Sequence, residues 1–135
     1  MKNCRFGCLT CPYVKPGKMV AATATTFKTD IQSAVDCQTS NLVYCINCDK
    51  CQEQYIGETS KTLNQRFAEH RGYVRNKKEE KATGAHFNLP GHTIADMKIT
   101  VLEKIASEDP QMRKLRESYF IKKFGTNYRG MNKKS

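Results

Sequence analysis

Cys48-Asp49-Lys50-Cys51 sits between two β-prone runs, Leu42-Val43-Tyr44-Cys45-Ile46 and Gln54-Tyr55-Ile56-Gly57. Two thiolates on so tight a knuckle can both reach one tetrahedral ion, and the flanking runs pair as a hairpin. His86 and His92 follow downstream, and the Pro90-Gly91 turn between them can bring both imidazoles to the same ion. A closed structural zinc site takes four such ligands, so Cys48, Cys51, His86 and His92 form a candidate Cys2His2 set. The gap between the pairs is longer than in common zinc fingers. The alternative is two buried thiols and two unrelated surface histidines.

Cys4-x3-Cys8-x2-Cys11 offers three more ligands, and Cys37 is the natural fourth for a second zinc. Such a site ties a cysteine-rich head, residues 1–36, to a main domain of residues 37–135; without it the head carries free thiols. Cys45 is left over, faces away from Tyr44 on an alternating strand, and reads as a small buried apolar residue. Seven cysteines leave an odd thiol in any full disulfide scheme. Residues 1–20 lack the apolar core of a signal peptide, and no stretch is apolar enough to span a membrane. An intracellular, reducing location and metal ligation follow as expectations. With 135 residues and 39% hydrophobic composition, the core is modest and metal staples matter. The formal charge of +10 favours a polyanionic partner, nucleic acid first and acidic membranes second. The alternative is a basic surface that serves solubility.

Residues 21–40, rich in Thr, Ala and Ser, read as extended chain or loop. A helix capped by Thr59 or Ser60 follows the second strand, with Leu63, Phe67 and Val74 as its apolar stripe. Residues 75–81 read as a charged loop and 86–92 as a histidine-bearing one. Residues 97–102 alternate as a half-buried strand. Ser107 caps a long helix through Phe124, with Lys122 and Lys123 in its last turn and Gly125 as its stop. A polar, basic tail covers 126–135. The order β-β-α-β-α predicts an α+β fold, a small antiparallel sheet flanked by helices, with a zinc-stabilised N-terminal head.

Arg66 and His70 lie four residues apart on one helix face, where a guanidinium and an imidazole can hold a phosphate and handle a proton. Alone, such a pair is an ordinary solvated surface, and Glu117 alone is equally unremarkable. Their order changes this. Leu42-Val43-Tyr44, ten residues, Tyr55-Ile56-Gly57, then Arg66-x3-His70, a late helix with Glu117, and Gly130-Met131-Asn132 resembles the GIY-YIG nuclease family. More narrowly, the chain from about Cys37 to Asn132 resembles the endonuclease domain of Penelope-like retroelements. Cys48-x-x-Cys51 between the two triplets, His86-Phe87-Asn88-x2-Gly91-His92, and the cysteine-rich head are the marks of that branch. The first triplet departs from the pattern, reading Leu-Val-Tyr, but keeps its tyrosine.

The resemblance implies a metal-dependent DNA endonuclease that nicks one strand by phosphodiester hydrolysis. Glu117 would hold one Mg²⁺ or Mn²⁺, Arg66 would grip the scissile phosphate, and a tyrosine would take the proton of the attacking water. Tyr44 is the favoured base and Tyr55 its orienting partner, although family members differ in this. His70 would assist the tyrosine or the phosphate, and Asn132 would orient Glu117 or the ion's waters. Lys61, Arg71, Arg75, Lys77 and Lys78 flank the helix and would track the DNA backbone, the bland reading being a solvated face. The resemblance also implies a linked reverse transcriptase with its template RNA and action in the nucleus. Two other readings stay open: an inactive zinc-stapled DNA-binding module, and a structure-specific repair nuclease.

Overall fold

The computed structural model describes residues 1–4, 7–32 and 34–132. Strand β3 (Ser40–Cys48) is the centre of a three-stranded antiparallel sheet, with β4 (Gln54–Thr62) on one side and β5 (Met97–Lys104) on the other. Every residue of β3 from Asn41 to Cys48 is buried, because both faces of the sheet are covered. A strand buried on two faces can be apolar throughout, hence the unbroken Leu-Val-Tyr-Cys-Ile run.

On one face Leu42, Tyr44, Ile46 and Cys48 pack with Leu63, Phe67 and Val74 of helix α1 (Leu63–Arg75). On the other, Val43 and Cys45 meet Phe120 and Phe124 of helix α3 (Pro110–Phe124), together with Val20 and Ile31. Cys45 is fully buried on this second face, as expected, and its thiol is held protonated, its pKa pushed up to about 12 by burial. The outcome is the predicted α+β architecture: a small antiparallel sheet between helices.

Several boundaries differ from the sequence reading. Strand β4 runs on to Thr62, so α1 is capped by Thr62 rather than Thr59 or Ser60; Thr62 Oγ1 accepts from the Gln65 amide, and the Gln65 side chain accepts from Thr62 N. This capping box satisfies amides at both ends of the first turn, which a cap three residues earlier would leave to the β4 ladder. Residues 21–40 are not merely loop. Strands β1 (Met19–Ala21) and β2 (Lys28–Asp30) pair as a hairpin. Three-residue strands carry almost no periodic signal, and burial of Val20 and Ile31 stabilises them. Helix α3 starts at Pro110 with Asp109 as its cap, while Ser107 Oγ accepts from the Asp109 amide one step earlier. Its stop is as read: Gly125 adopts φ 69°, left-handed backbone that favours glycine. Two short helices go beyond the sequence reading, α2 (Ala82–His86), between the two stretches read as loops, and α4 (Thr126–Arg129), in the stretch read as tail. The end of the tail, residues 133–135, lies outside the described residues.

The N-terminal segment packs onto α1 and β5. The Lys15 amide donates to Ile99 O at 2.9 Å, and Tyr13 lies 5.2 Å from the Phe67 ring. Among the described residues no helix is long and apolar enough to cross a membrane.

Candidate active site and metal clusters

Arg66 and His70, one turn apart on α1, reach down to the same atom. Tyr44 Oη lies 2.7 Å from His70 Nε2 and accepts from Arg66 Nε at 3.0 Å. The tyrosine can lie there because its cross-strand partner is Gly57: a Cβ on Gly57 would collide with the Tyr44 phenol. This is the physical reason for glycine in the Tyr55-Ile56-Gly57 run. Tyr55 stands beside them, its ring 6.4 Å from Tyr44 and 5.6 Å from His70. Arg66 is steadied by Glu69, which accepts from Nη1 at 3.0 Å and also pairs with Lys61.

Glu117 approaches from α3, on the other side of the edge strand β4. A cavity of about 220 Å³ lined by Tyr55, Lys81, Ala82, Glu117 and Asn132 adjoins one of about 150 Å³ lined by Tyr55, Arg66, His70, Lys81 and Thr83. Tyr55, Lys81 and Ala82 belong to both, so one cleft wraps around the β4 edge and joins the Arg66 side to the Glu117 side.

Burial dominates the electrostatics. It raises the pKa of Tyr44, with Tyr55 adding to the effect and Arg66 opposing it. Tyr55 is raised for the same first reason. His70 is pushed down to about 3 by burial and then by Arg66, so its ring is neutral at physiological pH. The Glu117 carboxyl is raised by burial and then by Glu58, against Lys114, the Glu58 amide and Arg66. Glu58 itself pairs with Arg113 through Oε1, and its buried Oε2 has no hydrogen-bond partner. Two acids in this setting suit a cation, which would relieve both the burial penalty and their repulsion.

Other expected site residues fall out differently. Asn132 clamps β4 at two points, its Oδ1 accepting from Ile56 N and its Nδ2 donating to Ile56 O. Arg71 is not a surface contact for DNA: it is 5% exposed, donates to Thr10 Oγ1 at 3.0 Å, and lies over the Phe67 ring. Its position on α1, one residue past His70, turns it towards the head instead of the solvent. Lys61, Arg75, Lys77 and Lys78 are exposed. Sequence reasoning missed Glu58, Glu69, Lys81 and Thr83. Glu58 follows directly on the Tyr55-Ile56-Gly57 run, and Lys81 stood within a charged stretch; Thr83 gave no signal.

Both cysteine clusters assemble. In the head, the sulfurs of Cys4 and Cys8 are 3.6 Å apart, Cys8 and Cys11 3.4 Å, and Cys11 and Cys37 3.8 Å. A tetrahedral zinc with Zn–S of about 2.3 Å has sulfur–sulfur edges of about 3.8 Å, while a disulfide would need about 2.05 Å. The Cys4 amide donates to Cys11 Sγ, which favours a thiolate. In the second cluster the ligand atoms of Cys48, Cys51, His86 and His92 lie within 4.8 Å of one another. Cys51 Sγ is 3.4 Å from His86 Nε2. His92 Nε2 is buried without a hydrogen-bond partner, while its Nδ1 faces Pro90 O. A metal there would satisfy that nitrogen, with the backbone carbonyl orienting the ring. Both donor sets suit zinc.

One sheet edge thus lies between a Tyr–Arg–His group and a helical carboxylate, a set of groups suited to holding and hydrolysing a phosphodiester. The chain belongs to the GIY-YIG family: the model of the GIY-YIG catalytic domain matches residues 40–132. It is a DNA endonuclease domain, a hydrolase of phosphodiester bonds. Its fold is similar to that of the catalytic domain of homing endonuclease I-TevI, with a TM-score of 0.57 at 19% identity, over 68% of this chain and 96% of that one. No curated protein matches the chain.

Proposed function

We propose that the domain nicks one strand of duplex DNA with Mg²⁺ or Mn²⁺, and that it belongs to a Penelope-like retroelement. There the freed 3′ end would serve a linked reverse transcriptase copying its template RNA in the nucleus. The retroelement context rests on Cys48-x-x-Cys51 between the two triplets, the His86 and His92 pair, and the cysteine-rich head of residues 1–36 before the nuclease domain of 37–135. Nicking rests on one observation: the cleft around β4 brings Tyr55, Arg66 and His70, with Tyr44 buried against the last two, opposite a single helical carboxylate, Glu117, enough for one strand per chain.

In this reading Arg66 binds the scissile phosphate and stabilises the charge that builds on it. Tyr44 takes the proton of the attacking water and Tyr55 orients that water. His70, neutral and 2.7 Å from Tyr44 Oη, receives the phenolic proton in turn. Glu117 would hold the catalytic cation, which when bound would supply neutralisation of the phosphate and stabilisation of the leaving oxygen. Asn132 keeps β4, and with it Tyr55, in register with α4. The two zinc sites, Cys48/Cys51/His86/His92 and Cys4/Cys8/Cys11/Cys37, are structural. Exposed Lys61, Arg75, Lys77 and Lys78 carry the DNA backbone.

Supercoiled plasmid, with and without Mg²⁺, tests the proposal. The wild type should convert it to open circles only with the cation. Glu117→Gln should abolish conversion and keep DNA binding. Binding without cleavage by the wild type would mean an inactive DNA-binding module, and preference for branched or flapped DNA would mean a repair nuclease.

A further inference from the structure

Tyr44 is fully buried, and its hydroxyl has two polar neighbours among the described residues, Arg66 Nε and His70 Nε2. Arg66 Nε can only donate. The phenolic oxygen therefore already accepts one hydrogen bond, and its own proton needs an acceptor. His70 Nε2 at 2.7 Å is the acceptor in reach, so that nitrogen is bare. A neutral imidazole carries its one proton on the other nitrogen, Nδ1. At Nδ1 stands Thr83 Oγ1, 2.7 Å away and itself only 1% exposed. The chain of roles is thus fixed from end to end: Arg66 donates to Tyr44, Tyr44 to His70, and His70 to Thr83.

We infer that Thr83 is a positioning residue of the site, accepting the Nδ1–H of His70 and so holding the bare Nε2 against Tyr44. This deepens the nuclease proposal and rests on it. The water's proton passes to Tyr44 Oη as the Tyr44 proton passes to His70 Nε2. The water oxygen bonds to phosphorus, the bond to the 3′ oxygen breaks, and that oxygen is protonated from solvent. His70 then releases its proton to solvent and the site is restored. Burial and then the Arg66 charge disfavour a protonated His70 in the free protein, and a DNA phosphate bound at Arg66 would offset the second of these. With the opposite tautomer, Nε2 would carry the proton and Tyr44 could hand nothing on. Thr83 also sits three residues before His86 on α2, so the helix that sets the tautomer is held by a candidate zinc ligand at its far end.

Two variants and one spectrum decide this. Thr83→Val keeps shape and removes the hydroxyl, while Thr83→Ser keeps the hydroxyl. Three histidines in the chain make a long-range proton–nitrogen NMR spectrum of the zinc-loaded protein readable. In the wild type, His70 should carry its proton on Nδ1, and in Thr83→Val that preference should be lost. Plasmid nicking by Thr83→Val at saturating DNA and Mg²⁺ should fall roughly 10- to 100-fold, with DNA affinity and zinc content unchanged. Thr83→Ser should stay within a few-fold of the wild type. A wild-type His70 protonated on Nε2, undiminished nicking by Thr83→Val, or a Thr83→Ser protein as impaired as Thr83→Val overturns the inference. Absence of nicking by the wild type itself would instead sink the nuclease reading, and the tautomer would still decide the role of Thr83.

Discussion

Arg66 shows how much a single side chain can carry. It donates to Tyr44, is braced by Glu69, and lines the cleft that Glu117 reaches from the other side. Lys77, on the same basic stretch of sequence, is exposed and outside the cleft. Arg66→Ala should therefore lose about 3 kcal/mol or more of transition-state stabilisation. Lys77→Ala should lose at most one backbone contact, read as slightly weaker DNA binding with unchanged turnover. Single-turnover nicking rates compare the two, and similar losses would make Arg66 part of a general basic surface. Tyr44, Tyr55, Arg66, His70 and Glu117 were all legible because family order singled them out. Glu58 and Thr83 were not, because their interest lies in what stands opposite them: a buried carboxylate oxygen near Glu117, and the far nitrogen of His70.

Helix α2 is the element that the sequence hid most completely. Five residues are too few for an apolar stripe, and Ala-Thr-Gly-Ala-His has no helical signature of its own. Tertiary partners create it. Gly84 fits against the backbone at Lys78, Asn88 Nδ2 donates to Val74 O and Gly84 O, and His86 reaches Cys51. Structural zinc contributes on the order of 10 kcal/mol to folding. His92→Ala should thus lose zinc from the Cys48/Cys51 site and melt well below the wild type. His70→Ala should keep its zinc and its fold and lose nicking. Elemental analysis with thermal melts checks both; a stable, zinc-replete His92→Ala protein that cannot nick DNA would reverse the assignments.

For the whole molecule, the closed core sets a pH limit. His70 is buried among Tyr44, Tyr55 and Tyr73, with Arg66 beside it opposing its charge and Glu69 favouring it. Its folded pKa of about 3 lies below the unfolded value of about 6.5. Between those values the unfolded chain binds more protons. Stability from the neutral ring is therefore complete above about pH 6.5 and is lost as pH falls towards 3. Urea melts of zinc-loaded protein at pH 7 and 5 should show this loss. His70→Gln, neutral at both, should show a smaller one, and equal losses in both proteins would place the acid sensitivity at the metal sites instead.

What the sequence alone determined is what depends on local order. Apolar runs, turn residues and the Gly125 stop set the β-β-α-β-α succession, and spacing put Cys48 beside Cys51 and Cys4, Cys8 and Cys11 beside one another, while Cys37, His86 and His92 reach them only through the tertiary fold. The chain's charge and its family motifs pointed to DNA cleavage. Tertiary structure decided what depends on distant segments meeting. Only burial of Val20 and Ile31 in the core between the sheet and α3 makes strands of β1 and β2. Only the docking of the head turns Arg71 from a surface cation into a buried brace for Thr10. Only the approach of α2 gives His70 a hydroxyl at Nδ1. A side chain's direction is read from its own element, but its partner is supplied by another, and hydrogen bonds at 2.7 Å are not written in spacing.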